Sequence, residues 1–433
     1  MLPRLNFRFV NFGGPHRSPP LRWQLSLFFA SSTLAAEDWP RWRGRDGNGH
    51  VPAGVVVPTA LPAEARYVWR KKIGFGVGSP VVSRGVTYYL DNQENRETLH
   101  AVDAGTGEGR WHVAIDETFK DNQSAVGPRS TPVVDGDRIY LQSGRGEFQC
   151  LDTATGHVQW RTNFVTDFGA VFTGEKGTTP GAGRHGYTGS ALVDGDHLLV
   201  GVGGVEGASV VCFNKRDGRV IWKSQNDMPG NGGPIVATLA GIKQVVSFTA
   251  EAAMGLRFDT GELLWRLPIK TSYGRHVASP IVIDDLVLVG SHQAGLIAIK
   301  ISPDKTGCRA ETSYIEKRLA PNFSSPVLGA GLLYGLGPAG VLFCADARTG
   351  IQKWSHDSPA IGSKAHAAFL VMHENILVLA DTGELLLIAA DPMEYRLISR
   401  LKICGATWCN PAYAGGRLFV RDAEELLCVA LLP

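Results

Sequence analysis

AVDAGTGEGRW, residues Ala101–Trp111, returns as CLDTATGHVQW at Cys150–Trp160 and as CADARTGIQKW at Cys344–Trp354. Each copy sets an Asp, a Thr-Gly pair and a Trp at one spacing. Gly107, Gly156 and Gly350 supply the permissive backbone that a tight turn needs. Asp103, Asp152 and Asp346 can bond their own turn through the carboxylate, as Asx residues do. Trp111, Trp160 and Trp354 then open a new strand and offer large rings to bury between neighbouring sheets. The alternative, that these Asp and Trp residues bind a ligand, is disfavoured by the repetition itself, since one binding site does not need several copies of a turn.

Outward from the motif, a longer unit emerges. A Gly/Ser/Pro-rich lead opens a β-branched run, as in GSPVVSRGVTYYL (Gly78–Leu90), and a second and third run lead into the Thr-Gly turn. Four short strands joined by turns form one antiparallel sheet, and the spacing is that of a propeller blade. Units start near Ser79, Ser130, Gly189, Gly232, Ala278, Ser324, Ala367 and Cys409. The Trp marker recurs at Trp222 and Trp265, Tyr314 replaces it in the fifth unit, and the seventh unit lacks it. The last unit has three strands, and RYVWRKKIG (Arg66–Gly74) supplies a fourth with Trp69 in the marker position. The predicted fold is therefore an all-β, eight-bladed β-propeller of four-stranded antiparallel blades over 67–433, closed by the N-terminal strand. Such closure removes the exposed sheet edge of an open array. Seven blades remain the alternative if one weak unit is an insertion.

The 433 residues carry a formal net charge of only +2, and charged residues make up 19%. These totals argue against nucleic acid as a partner, and no apolar run is long enough to span a bilayer. Residues 1–36 have the layout of a secretory leader: Arg4, Arg8, Arg17 and Arg22 precede LSLFFASSTLAA (Leu25–Ala36). A periplasmic or secreted location is expected, with 37–66 packing on the ring through Trp39 and Trp42. Of seven Cys, Cys150, Cys212, Cys344 and Cys428 share one repeat position and read as small buried apolar residues. Cys404 and Cys409 are close enough in sequence to pair, which spacing does not decide.

The pattern A-x-D-x-x-T-G-x-x-x-W resembles the tryptophan-docking motif of the pyrroloquinoline quinone (PQQ) repeat propellers. GPRSTPVVDGDRIY (Gly127–Tyr140) and DWPRWRG (Asp38–Gly44) are also similar to exported members. The family contains quinoprotein alcohol dehydrogenases and the cofactor-free propeller subunit of the outer-membrane β-barrel assembly machine, so membership alone does not settle function. A dehydrogenase of this family uses a carboxylate base, calcium held by Glu, Asn and Asp, and in many members a disulfide between adjacent Cys. This sequence has no adjacent Cys pair and no acidic residue in its blade leads. No metal site and no cofactor is predicted, although the resemblance leaves PQQ with Ca²⁺ open.

All eight leads fall on one face, around the channel mouth, where loops on a rigid scaffold carry binding residues. Their polar members are Arg129, Arg184, His185, Tyr187, Arg275, His276, Asn322, Lys364, His366, Trp408 and Asn410. Four fixed cations without a carboxylate predict an electropositive mouth suited to a small anionic ligand or an acidic protein segment. Arg184–His185 and Arg275–His276 are read as ligand contacts and Arg129 as structural. The bland reading is that all of these side chains bond loop carbonyls and hold the rim. The sequence thus favours a monomeric, non-catalytic binding or assembly scaffold, with a PQQ-dependent alcohol or sugar dehydrogenase and an extracellular polymer binder as alternatives. RDGNGH (Arg45–His50) reads as a turn rather than a calcium loop. GVGGVEG (Gly201–Gly207) lacks the strand–helix context of a dinucleotide site.

Overall fold

The computed structural model of the chain describes residues 38–120, 126–171, 185–305 and 307–432. Its strands form eight four-stranded antiparallel sheets, seven of them running in chain order from an inner to an outer strand. The inner strands of blades 1 to 8 are Val81–Ser83, Val133–Asp135, Leu192–Asp194, Ile235–Leu239, Ile281–Ile283, Val327–Gly329, Ala367–Met372 and Ala412–Ala414. Blade 8 takes its outer strand, Arg66–Lys72, from the other end of the chain, paired with Glu425–Ala430. The ring is therefore an eight-bladed β-propeller closed as the repeat pattern predicts. The predicted leader, 1–36, lies outside the described residues.

The middle strands carry apolar residues on both faces because each blade is covered on both sides. Tyr88, Tyr89 and Leu90 are all buried, as expected for sheets without a solvent face. The core is accordingly a series of interblade layers. Leu90 and Leu99 of blade 1 meet Ile139, Leu141 and Leu151 of blade 2 in one of them.

The Thr-Gly turns dock these layers. Asp152 Oδ1 accepts from Ala154 N at 3.1 Å and Thr155 N at 2.9 Å. Asp103 and Asp346 make the same bonds in their own turns. The turn glycine is then capped by the ring from the preceding blade. A Cβ at Gly156, where φ is +73°, would stand 2.7 Å from Trp111. Trp69, Trp111, Trp160 and Trp222 each donate Nε1–H to a carbonyl of the next blade, at Ala104, Thr153, Lys215 and Phe258. Tyr314 stands in for Trp, donating from its hydroxyl to Ala347 O at 2.8 Å. Trp354 likewise donates to a carbonyl of the next blade, Asp391 O, at 2.8 Å.

Two junctions depart from the rule. The outer hairpin of blade 5, Gly295–Asp304 with Gly307–Glu316, is longer than the others and leans on blade 4. Trp265 there bonds Gln244 Oε1 of its own blade at 2.7 Å, and Gln244 Nε2 donates to Cys308 Sγ. In blade 7 the marker position falls to Ser399, opposite Leu387. The N-terminal segment fills that gap: Leu61 N donates to Ser399 Oγ at 2.8 Å, and Tyr413 Oη donates to Val56 O at 2.6 Å. Val51, Val55 and Leu61 join the buried layer between blades 7 and 8.

Before reaching that groove the same segment crosses the channel. Trp39 pairs with Val82 of blade 1, and Pro40 O accepts from Val134 N of blade 2 at 2.8 Å. Arg43 Nη2 donates to Pro326 O beside blade 6, and His50 Nε2 lies 2.6 Å from Leu328 O. Blades 2 and 6 face each other across an eight-bladed ring, so residues 40–43 span the channel. Gly44, at φ +84°, lies against the Trp39 ring, where a Cβ would come within 3.0 Å. All seven cysteines are free thiols, Cys404 and Cys409 included, and the four at the repeat position are buried.

Candidate functional site

The inner strands start at the mouth and run away from it, so their leads converge at one end of the channel. The lead hydroxyls tie blade to blade. Ser79 N donates to Thr131 Oγ1 at 3.0 Å, Ser279 N to Ser325 Oγ at 3.1 Å, and Ala367 N to Ser324 Oγ at 2.9 Å. Asn410 N donates to Ser79 Oγ at 2.9 Å and completes the circuit across the closure. These contacts explain why Ser-Pro or Thr-Pro precedes so many inner strands, and they hold the rim rigid.

Inside the rim lies a cavity of about 330 Å³. Of the residues expected at the mouth, Arg129, His185, Arg275, His366, Trp408 and Asn410 line it. Arg129 Nη1 donates to His185 O at 2.8 Å, so it braces the neighbouring lead while facing the cavity. The Arg275 guanidinium lies 4.8 Å from the Phe323 ring centroid and donates to Asn322 Oδ1 at 3.3 Å. Phe323 meets Trp408 at 5.0 Å, and Trp408 stacks on His366 at 5.6 Å and 8°. Burial lowers the His366 pKa to about 4, so its imidazole is neutral near pH 7 and serves as a flat backing for Trp408.

The remaining expected residues stand elsewhere. His276 is not in the cavity lining: it is buried, with Nδ1 2.6 Å from Thr249 O and its ring stacked on Phe248 at 4.1 Å. Burial holds its pKa down to about 4 as well, so two of the three histidines add no positive charge at neutral pH. Tyr187 is buried edge-on against Phe164. Asn322 reaches the cavity only through Arg275. Lys364 is exposed outside the cavity, its backbone N–H donating to Asp381 Oδ2 at 3.2 Å. Arg184 lies outside the described residues. Selecting only polar lead residues missed Phe75 and Phe323, which line the cavity from the leads GFGVGS and APNFSSP. Trp42 also lines it, and nothing in the repeat pattern points there, because that residue precedes the ring.

No Asp or Glu is among the described lining residues. The nearby Asp381 carboxylate is engaged by the backbone N–H groups of Gly362 and Lys364. Among the described residues no group of three or more His, Cys, Asp or Glu is arranged to hold a metal. Calcium takes hard oxygen donors, carboxylates foremost, so the donor set of the described lining residues does not fit a calcium-held quinone.

Over residues 56–163 and 95–356 the chain matches the family model described as outer membrane protein assembly factor BamB. The chain belongs to the BamB family. Among curated proteins it is 27% identical over 243 residues to BamB of Burkholderia pseudomallei (strain K96243), covering 52% of this chain and 54% of that one. It is 22% identical over 325 residues to BamB of Moranella endobia (strain PCIT), covering 75% and 64%. The chain thus spans between about half and just under two thirds of the length of these BamB relatives. The crystal structure of BamB from Moraxella catarrhalis superposes with a TM-score of 0.56 at 15% identity, covering 85% of this chain and 98% of that one. Quinohemoprotein alcohol dehydrogenase from Comamonas testosteroni superposes with a TM-score of 0.63 at 13% identity, covering 92% and 81%. At these identities the structural likenesses speak for the shared propeller alone.

Proposed function

We propose that this BamB-family propeller is an exported, non-catalytic binding scaffold whose electropositive mouth takes a carboxylate-rich segment of a partner protein. The observation that carries the reading is the lining of the mouth cavity: Arg129 and Arg275 face it, and no carboxylate accompanies them among the described lining residues. Guanidinium groups held by loop contacts and aromatic faces recognise carboxylates through paired, charge-assisted hydrogen bonds. The leader-like residues 1–36, and relatives described as outer membrane protein assembly factors, support a periplasmic or secreted setting and a protein partner.

The test is fluorescence anisotropy with a labelled deca-glutamate peptide and the full chain, at low and at moderate salt. Each charge-assisted bond contributes about 1.5–3 kcal/mol, so R129Q/R275Q should weaken binding by roughly tenfold or more. Equal binding by the double variant, or equal binding of a deca-lysine peptide, would remove the reading.

The competing reading, PQQ-dependent oxidation of alcohols or sugars, rests on the shared propeller fold alone and has the cavity's described donor set against it. Addition of PQQ and Ca²⁺, followed by quinone absorbance and alcohol-dependent dye reduction, separates the two, and turnover would displace the scaffold reading.

A further inference from the structure

We propose that the mouth is a blind aromatic cup that recognises an aromatic ring flanked by carboxylate, rather than negative charge alone. The inference rests on the anion-binding reading above and narrows its ligand.

The floor is Trp42. It lines the mouth cavity and also a second cavity of about 270 Å³ shared with Arg41, Asp46 and Asp194. It therefore separates the two spaces within a channel that would otherwise run through the ring. The segment holding it is anchored at opposite walls, Pro40 to Val134 and Arg43 to Pro326. Arg43 is itself buried and lies 5.4 Å from the Trp42 ring centroid.

The wall is Trp408, 38% exposed. One neighbour of this ring is the Phe323 ring and another is the His366 imidazole, stacked nearly parallel to it. An exposed Trp braced this way presents a pre-ordered flat surface, the cheapest kind to bind against because little side-chain freedom remains to be lost. Phe75 adds a further apolar contact to the lining.

Arg275 sets the charge beside this surface, since its guanidinium rests over Phe323, the ring next to Trp408. Aromatic and anionic recognition are thus one ring apart. The cavity volume is at the low end of ligand pockets, which run from about 300 to 1,000 Å³. It suits one ring system with its neighbouring carboxylate. Two sources share that chemistry: a Phe or Trp within an acidic peptide, and a free aryl carboxylate.

The experiment titrates the full chain with three probes: an acidic decapeptide with one central Trp, the same peptide with Ala in its place, and indole-3-acetate. The expected result is binding of the Trp peptide at least tenfold tighter than the Ala peptide. W42A and W408S should each abolish that preference, bringing the Trp peptide down to the affinity of the Ala peptide. W408S alters a partly exposed residue and keeps the test open if W42A fails to fold, which circular dichroism would show. Tight binding of indole-3-acetate, lost in W408S, would assign the same cup to a free aryl carboxylate. Equal affinity for the two peptides, with R275Q weakening both, would overturn the cup and leave the anion-binding reading standing. Absence of binding by all three probes would overturn both.

Discussion

At the residue scale, two positions show how the ring constrains single side chains. Gly156 combines a left-handed backbone with a Trp ring on its face. A side chain there costs about 1–3 kcal/mol in backbone strain alone and must also displace Trp111. G156A should therefore lower chemical stability by at least 2 kcal/mol, measured as the shift in urea midpoint, whereas G136A, which meets open space at similar φ, should cost only the strain. Equal losses would show that the ring contact contributes nothing. Glu97 is buried between blades 1 and 2 and accepts from Gly144 N. Burial raises its pKa from 4.5 to about 7, the charge of Asp116 adds to the rise, and Arg129 opposes it. A raised folded-state pKa means that the folded protein holds the proton more tightly than the unfolded chain. The contribution is intact below about pH 4.5 and is lost as pH climbs through 7. Between pH 5 and 8 the native protein should lose about 3 kcal/mol relative to E97Q. Parallel stability–pH curves for the two proteins would contradict this origin of the shift.

At the element scale, the N-terminal segment does two jobs. It crosses the channel through Trp39, Trp42 and Arg43, and it takes the place of the missing dock at blade 7. Val55 and Leu61 are buried in that groove, whereas the adjacent Val56 is 67% exposed. V55A/L61A should destabilise by about 3–5 kcal/mol, since Leu→Ala in a core alone costs about 2–5. V56A should stay within about 0.5 kcal/mol. Thermal or urea unfolding of the three proteins decides it, and a small loss in the double variant would mean that the segment merely rests on the ring. The leads are the other instructive element. Their shared position was legible from repeat spacing, but the aim of each side chain was not. His276 turns into the core toward Thr249 O, Lys364 turns to solvent, and Arg275 turns inward over Phe323. Neighbouring residues in one kind of loop diverge because each lead packs on a different partner.

At the scale of the whole molecule, closure joins the chain's first strand to its last. Trp69 sits opposite Cys428, the register that Trp160 holds with Cys150, and donates to Ala104 O of blade 1 at 3.0 Å. Arg421, fully buried in blade 8, reaches across the same seam to Leu90 O and Gly74 O. W69A should cost about 3–5 kcal/mol, as for other buried aromatic truncations. It should also make the first strand more sensitive to limited proteolysis than the blades in mid-chain. An unaltered cleavage pattern would show that strand pairing holds the seam without the ring. The sequence by itself determined the all-β class, the repeated blade and the closing strand, because each blade repeats one local pattern and touches only its neighbours, and the structure fixed the count at eight rather than seven. The docking residues of most junctions followed for the same reason, with Tyr314 in place of Trp and a gap at blade 7, whereas Trp265 bonds Gln244 of its own blade instead of the next. Only the tertiary structure decided what fills that gap, where the polar lead residues point, and that Trp42 lines the mouth cavity. Those outcomes depend on contacts between segments distant in sequence, and no local period encodes such contacts.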